Sequence, residues 1–328
     1  MKRDRASALL AEAKRIGVVR TDHLGDMVLT LPLVRVLKEE FPQAEIAVIA
    51  HSRTAPLVEG TSVVDRCVYV DHVPLPRLLA TLRFDALFFP RPRADEAWYA
   101  WRHRVRLRIG SAYRWWSPLY NVRIADHRST AQFHEAAYNV RMLEHITGRS
   151  YAVALVPPVV QESARRVVRD RLAEAGIGDC DRFIVLHPGG RGSAPRWKKF
   201  PALAALLTAA IGDRHIVVTG TAAEAAECAA IIDHVPRAVN LCGALSLAEL
   251  VALIADADLL VANSTGVLHI AATLDIPVVG LFPSEPPALS PARWGPLGKS
   301  ASVLSAMPID VIEPQQVAQA VCQRLALG

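Results

Sequence analysis

The side chains able to do chemistry in this 328-residue chain gather in loops that follow short apolar runs. The first loop, Thr21-Asp-His-Leu-Gly-Asp-Met27, opens an amphipathic helix. Gly25 permits a tight strand-to-helix turn with the backbone close to a ligand. Asp26 then sits at or beside the helix N-terminus, where a carboxylate either caps the helix or takes a proton as general base. Spacing alone favours the cap. Asp22 and His23 are close enough to be rival acid/base groups.

Three further loops suit a phosphorylated ligand. Pro188-Gly-Gly-Arg-Gly-Ser-Ala-Pro-Arg-Trp-Lys-Lys-Phe200 gathers three glycines, including Gly189, the Ser193 hydroxyl and four cations, Arg191, Arg196, Lys198 and Lys199. Ahead of a helix, that is either a diphosphate cradle or a flexible basic loop. Thr219-Gly-Thr-Ala-Ala-Glu224 places Glu224 after Gly220. A carboxylate there can accept ribose hydroxyls or simply complement the helix dipole. In Val261-Ala-Asn-Ser-Thr-Gly-Val-Leu-His269, Ser264 or Thr265 can cap a helix whose first turn holds Gly266, leaving backbone N–H groups for phosphate oxygens. His269 follows on the same side, as a ligand contact or a satisfied core histidine.

Several chemistries lack their marks. No Gly-x-Gly-x-x-Gly or Walker loop is present, so a nicotinamide cofactor and a P-loop nucleotide site are without their fingerprints. Cys67, Cys180, Cys228, Cys242 and Cys322 form no Cys-x-x-Cys pair and read as reduced thiols. Asp256-Ala-Asp258 has the form of an Asp-x-Asp metal motif but reads as a helix end and strand start, so no metal is assigned.

The loops need strands to hold them. Short β-rich runs alternate with helical stretches throughout, the rhythm of a parallel sheet covered by helices. Strands are expected at 15–20, 45–50, 63–70 and 85–89, then at 183–187, 215–219, 238–241, 258–261 and 277–281. The stiff segment Val156-Pro-Pro-Val-Val160 reads as a linker. The expectation is therefore an α/β chain of two Rossmann-like domains, 1–155 and 156–328, facing each other across a cleft. A last helix at 313–327 could pack back on the first domain. Open α/β sheets bind ligands at the carboxyl ends of their strands, where these loops lie.

Charge is distributed unevenly. Ten arginines and no lysine face four acids between Arg83 and Arg128, so this window carries +6 of a net +5 and the remainder about −1. The same window holds ten of the twenty aromatic residues. Guanidinium forks and rings together suit an anionic partner with a bulky apolar or sugar portion. The basic N-terminal stretch is interrupted by Glu12, Lys14 and Arg15 before it could act as a signal peptide, and no uncharged apolar run of about 18 residues exists. A cytoplasmic protein is expected.

Taken in order, Leu-Gly-Asp at 24–26, His-Pro-Gly at 187–189 with Arg-Trp at 196–197, and Asn-x-Thr-Gly-x-x-His at 263–269 resemble the ADP-heptose:lipopolysaccharide heptosyltransferase family, glycosyltransferase family nine. The resemblance runs from residue 15 to about residue 298. It implies a GT-B fold with an acceptor-binding first domain, a nucleotide-sugar-binding second domain and metal-independent inversion at the sugar carbon. It also implies that Asp26 is the general base, and that Gly189, Ser193, Arg196, Lys198, Gly220, Glu224, Asn263, Ser264, Thr265, Gly266 and His269 hold the donor. His23, Arg91, Arg93 and Arg114 are assigned to the acceptor. No cofactor is implied, since the nucleotide sugar, of ADP-heptose type, is a substrate.

The implied acceptor is an anionic lipopolysaccharide core of a Gram-negative envelope, with peripheral contact at the inner face of the inner membrane and no nucleic acid as partner. Two departures stand out. Ser264 replaces the family's usual Asp and Pro195 its usual Lys, removing a negative cap and a diphosphate counter-charge. They leave room for a relative with another donor or acceptor, or for a degenerate anion-binding module.

Overall fold

Strands that read as nearly unbroken apolar runs must be covered on both faces, and here they build two all-parallel sheets. The computed structural model describes residues 1–190 and 194–327. Arg191, Gly192 and the assigned donor residue Ser193 lie outside the described residues.

The chain divides into two compact units, Met1–Val159 and Val160–Gly328. The division falls inside the proline-containing segment read as a linker, a few residues beyond the expected boundary at 155. The first unit holds β1 (Arg15–Val19), β2 (Glu45–Ala50), β3 (Arg66–Tyr69), β4 (Ala86–Phe88), β5 (Leu107–Ser111) and β6 (Val122–Ile124). Its sheet order is β3-β2-β1-β4-β5-β6, with Ile16 of β1 beside both Ile46 and Ala86.

The second unit repeats the plan with β7 (Phe183–His187), β8 (His215–Val218), β9 (Val239–Asn240), β10 (Leu259–Asn263), β11 (Val278–Pro283) and β12 (Ala301–Ala306). Its order, β12-β11-β10-β7-β8-β9, is the same arrangement counted from the first strand of the unit. Leu260 of β10 lies beside Val185 and Val278. In each unit the strand order reverses between the first and fourth strands, so the crevice at their carboxyl ends is the ligand position the topology creates.

Nine strands are expected, and twelve exist among the described residues. The additions β5, β6 and β12 have weak signatures for physical reasons. Arg108 and Gly110 interrupt β5, β6 spans three residues, and β12 is an edge strand without a fully buried residue. Gly110 is required by packing, because a Cβ there would stand 2.5 Å from the buried Tyr120 ring.

The last helix, expected at 313–327, spans Pro314–Leu327 and belongs to the second unit. It packs on the helix Phe200–Ala210 and on β10, β11 and β12. Val317 and Val321 are fully buried in the core cluster of the second unit, which commits its apolar face there. Among the described residues, no helix is long and apolar enough to cross a membrane.

Gly110→Ala is expected to lower unfolding stability by about 2 kcal/mol, because the Tyr120 ring is enclosed and cannot yield. Urea unfolding followed by circular dichroism measures this; an unchanged midpoint contradicts the packing argument.

Candidate active site

In the first unit the chain leaves β1 at Arg20, whose side chain is 3% exposed and whose guanidinium is the hub of the loop. Its Nε donates to Asp22 Oδ1 at 2.7 Å, its Nη2 donates to Asp26 Oδ1, and its Nη1 lies 4.0 Å from Glu135 Oε1. Glu135 opens the helix Glu135–Thr147 and also accepts from Arg128. Asn139, one turn on, accepts from Arg128 at 3.0 Å and donates to the Leu29 carbonyl at 2.9 Å, which fixes that helix to the loop.

The helix opened by this loop spans only Leu24–Val28, with His23 at its N-cap and no side-chain cap bond. Asp26 therefore does not cap it. Its carboxylate, 16% exposed, points onto Arg20 while its carbonyl accepts from the Thr30 hydroxyl at 2.7 Å. Burial pushes the Asp26 carboxyl above its ordinary pKa against the pull of Arg20, and the Asp22 and Glu135 carboxylates push the same way. A base of raised pKa with one exposed edge is suited to accept a proton near neutrality.

A second carboxylate stands beside this group. Glu96 is buried in the first turn of the helix Ala94–Arg102 and accepts from the Thr21 hydroxyl at 2.7 Å. Burial pushes its pKa up to about 7, against the pull of Thr21 and Arg93. Arg93 pairs with Asp95 at 2.8 Å and lies 3.7 Å from Glu96, while Arg91 lies 3.7 Å from Asp22. Of the residues assigned to the acceptor, Arg91 and Arg93 thus join this cluster and His23 stays exposed at the helix cap. Arg114 sits in an exposed turn after β5, without an ion pair among the described residues.

The loop after β7 in the second unit is held by side chains bonding to backbone. Asn263, at the end of β10, accepts from the Trp197 amide at 2.9 Å and donates to the carbonyls of Pro188 at 2.7 Å and Trp197 at 3.3 Å. It is buried, and these bonds clamp the loop. Glu224 accepts from the Gly190 amide at 2.7 Å, the Thr221 amide at 2.7 Å and the Thr221 hydroxyl at 2.9 Å. Burial alone would raise its pKa; these hydrogen bonds and His187 lower it. Three of its roughly four acceptor positions are thereby taken.

A Cβ at Gly189 would stand 2.2 Å from the Glu224 carboxylate, and one at Gly190 would stand 3.0 Å from Thr265 Cγ2. Glycine is what allows the β7 loop to lie against both residues. Gly220 plays a packing role beside Cys228 and Cys242. His187 meets the Thr219 hydroxyl at 3.0 Å and burial drives its pKa down to about 4, so it is neutral at pH 7.

The helix Gly266–Thr273 begins with Thr265 at the N-cap, yet no side chain caps it. Ser264 and Thr265 were both able to do so; the Thr265 hydroxyl instead has no hydrogen-bond partner among the described residues, and the Ser264 amide is bonded to Leu281. The first-turn N–H groups beyond Gly266 are left for a ligand, an anion position favoured by the helix dipole. Arg196 lies beside Gly190 and pairs with Glu227 at 3.0 Å, whereas Lys198 is exposed. His269 is buried in the same helix. Asp256 and Asp258 are engaged by arginines, Arg165 on the first and Arg182 and Arg214 on the second.

The profile of glycosyltransferase family 9 (heptosyltransferase) matches residues 97–321, more than half of the chain. The chain belongs to glycosyltransferase family 9. The matched span of this family 9 glycosyltransferase takes in the loops after β7, β8 and β10 and begins after the Asp26 loop. A candidate glycosyltransferase of Haemophilus influenzae is 27% identical over 307 residues, covering 87% of this chain and 86% of that one. Among solved structures, a family 9 glycosyl transferase from Veillonella parvula superposes with a TM-score of 0.83 at 20% identity, covering 96% of this chain and 98% of that one. The ADP-heptose lipopolysaccharide heptosyltransferase II of Escherichia coli gives a TM-score of 0.80 at 22% identity, covering 95% and 99%. The fold of the family 9 chain is accordingly GT-B.

Sequence reasoning missed Arg20, Glu96, Glu135 and Arg128. A signal for Arg20 exists, since a cation that follows the buried apolar run Ile16–Val19 needs partners. Glu96 and Glu135 carry none, because first-turn acids are ordinary on helix surfaces.

Glu96 also makes stability depend on pH. Its folded pKa of about 7 lies above the ordinary 4.5, so the stability from its protonated form is present at low pH and lost as pH rises to about 7. Glu96→Gln is expected to be more stable than the parent at pH 8 by up to about 3 kcal/mol, with the difference gone near pH 4.5. Equal differences at both pH values in urea titrations would contradict the assignment.

Proposed function

We propose that this glycosyltransferase moves a heptose from an ADP-heptose-type donor to a hydroxyl of an anionic, lipopolysaccharide-core-like acceptor, inverting the anomeric carbon without a metal ion. The observation that carries the reading is the Asp26 carboxylate, desolvated and fixed by Arg20 at the ligand end of the first sheet, in a chain that belongs to a heptosyltransferase family. The named relatives support the donor. One Escherichia coli neighbour is an ADP-heptose heptosyltransferase, and another, heptosyltransferase WaaC, was solved with ADP at a TM-score of 0.66, 19% identity and coverage of 95% and 99%.

In this mechanism Asp26 takes the proton from an acceptor hydroxyl as the oxygen attacks the anomeric carbon on the face opposite the departing diphosphate, and the configuration inverts. Charge builds on the diphosphate oxygens. The uncapped N–H groups at Gly266, with Arg196 and Lys198, stabilise it. Ser193 belongs to the same donor loop, Glu224 and Asn263 hold that loop in shape, and Gly189 lets it close on Glu224. No cofactor takes part. The Arg91 and Arg93 cluster receives the acidic groups of the acceptor, and Arg114 extends this basic surface. The protein works in the cytoplasm, at the inner face of the inner membrane where a glycolipid acceptor presents its head group.

A second reading, another nucleotide-sugar donor, is favoured by Ser264 and Pro195, which change the charges around the diphosphate position. One experiment separates the two. ADP is expected to raise the melting temperature more than UDP, GDP or NAD, and Asp26→Asn to reduce transfer from ADP-heptose by about a thousandfold or more while keeping the ADP shift. Near-normal turnover by Asp26→Asn removes the base assignment, and a larger shift with UDP or GDP transfers the reading to another donor.

A further inference from the structure

The helix Ala94–Arg102 buries Glu96, Ala97 and Ala100 and leaves its outer face to solvent. That face carries two tryptophans one turn apart. Trp98 is 49% and Trp101 45% exposed, and their rings lean together with centroids 5.0 Å apart at 33°. An indole pair of this size is a large apolar surface to leave in water.

The chain then turns sharply. The His103 amide donates to the Tyr99 carbonyl, the Arg104 amide donates to the Trp101 carbonyl, and Arg104 takes the left-handed conformation at φ 54°. The turn leaves Arg102, His103 and Arg104 exposed directly after the indoles. Neither Arg102 nor Arg104 has an ion pair among the described residues, whereas Arg106, two residues on, lies 3.8 Å from Glu12. Cations at a helix C-terminus complement its dipole, which accounts for the arginines but not for the paired indoles.

We infer that the carboxyl end of the helix Ala94–Arg102, with Trp98, Trp101, Arg102, His103 and Arg104, is a docking surface for an anionic lipid bilayer. Indoles settle at the headgroup level, where an apolar body and a polar N–H are both accommodated, and unpaired arginines are drawn to acidic headgroups. The helix has only nine residues and keeps one face in the protein core, so the contact is shallow and reversible. A bilayer fits better than a nucleic acid, because the indoles close on one another and a base would have to part them before stacking. The inference rests on the reading of the acceptor as a membrane glycolipid, yet it is tested without any acceptor.

Acceptor-free phosphatidylglycerol–phosphatidylcholine vesicles are mixed with the full chain, sedimented, and compared with pure phosphatidylcholine. The protein is expected to partition onto the acidic vesicles, with a blue shift of tryptophan emission and weaker binding at high salt. W98A/W101A and R102E/R104E are each expected to reduce partitioning about tenfold while leaving the melting temperature and transfer to a soluble, lipid-free acceptor fragment unchanged. Failure of the parent chain to bind acidic vesicles overturns the inference, as does binding by both variants at the parent level, or retention of an RNA oligonucleotide by these residues in preference to vesicles. Vesicle binding lost in the variants, in a protein that transfers no sugar to the soluble fragment, sustains the docking surface and removes the transferase reading instead.

Discussion

A buried guanidinium shared by three carboxylates is the constraint around which the first unit is arranged. A cation as enclosed as Arg20 is tolerable only when paired and hydrogen-bonded, and Asp22, Asp26 and Glu135 supply the pairing. The three acids outnumber the one cation, so each holds the others short of full neutralisation. Arg128 relieves Glu135 from the far side and Arg91 approaches Asp22, which leaves Asp26 as the member with an exposed edge. The network thus sets both where the Asp26 carboxylate points and how readily it holds a proton. It also ties β1, the loop and the helix Glu135–Thr147 together, the support that the proposed general base requires.

The second unit solves a complementary problem with side chains bonded to backbone, only one of which, Glu224, is charged. Asn263 and Glu224 consume backbone donors and acceptors of the β7 loop, and buried His187 stays uncharged beside Thr219. What these side chains leave free is the amino end of the helix Gly266–Thr273, with fixed dipoles in place of mobile charges. Preorganised dipoles of this kind need no rearrangement when charge develops on a ligand.

The sequence made the α/β class and nine of the twelve strands among the described residues legible, because buried parallel strands leave apolar runs such as Ile46–Ala50 and Phe183–Leu186. It failed where a strand carries its own interruption, as at Arg108 and Gly110, or lies at an edge, as β12 does. Loop residues were legible by type but their hydrogen-bond partners were not. Asn263 bonds to Pro188 and Trp197 and Glu224 to Gly190, groups that only the fold brings together, and Ser264 and Thr265 leave uncapped a helix that both could cap. The network around Asp26 was invisible because Arg20, Glu96 and Glu135 come together only through sheet order and helix placement. Gly220 illustrates the same gap, since its neighbours Cys228 and Cys242 are fixed by packing alone.

The most direct test of the shared guanidinium is the pH dependence of kcat/KM for sugar transfer in the parent, Arg20→Lys and Arg20→Gln. The account predicts an acidic limb above the ordinary aspartate pKa of 3.8 in the parent, close to that position in Arg20→Lys, and moved to higher pH in Arg20→Gln. An acidic limb at the ordinary aspartate value, or one that stays in place when the cation is removed, would contradict it.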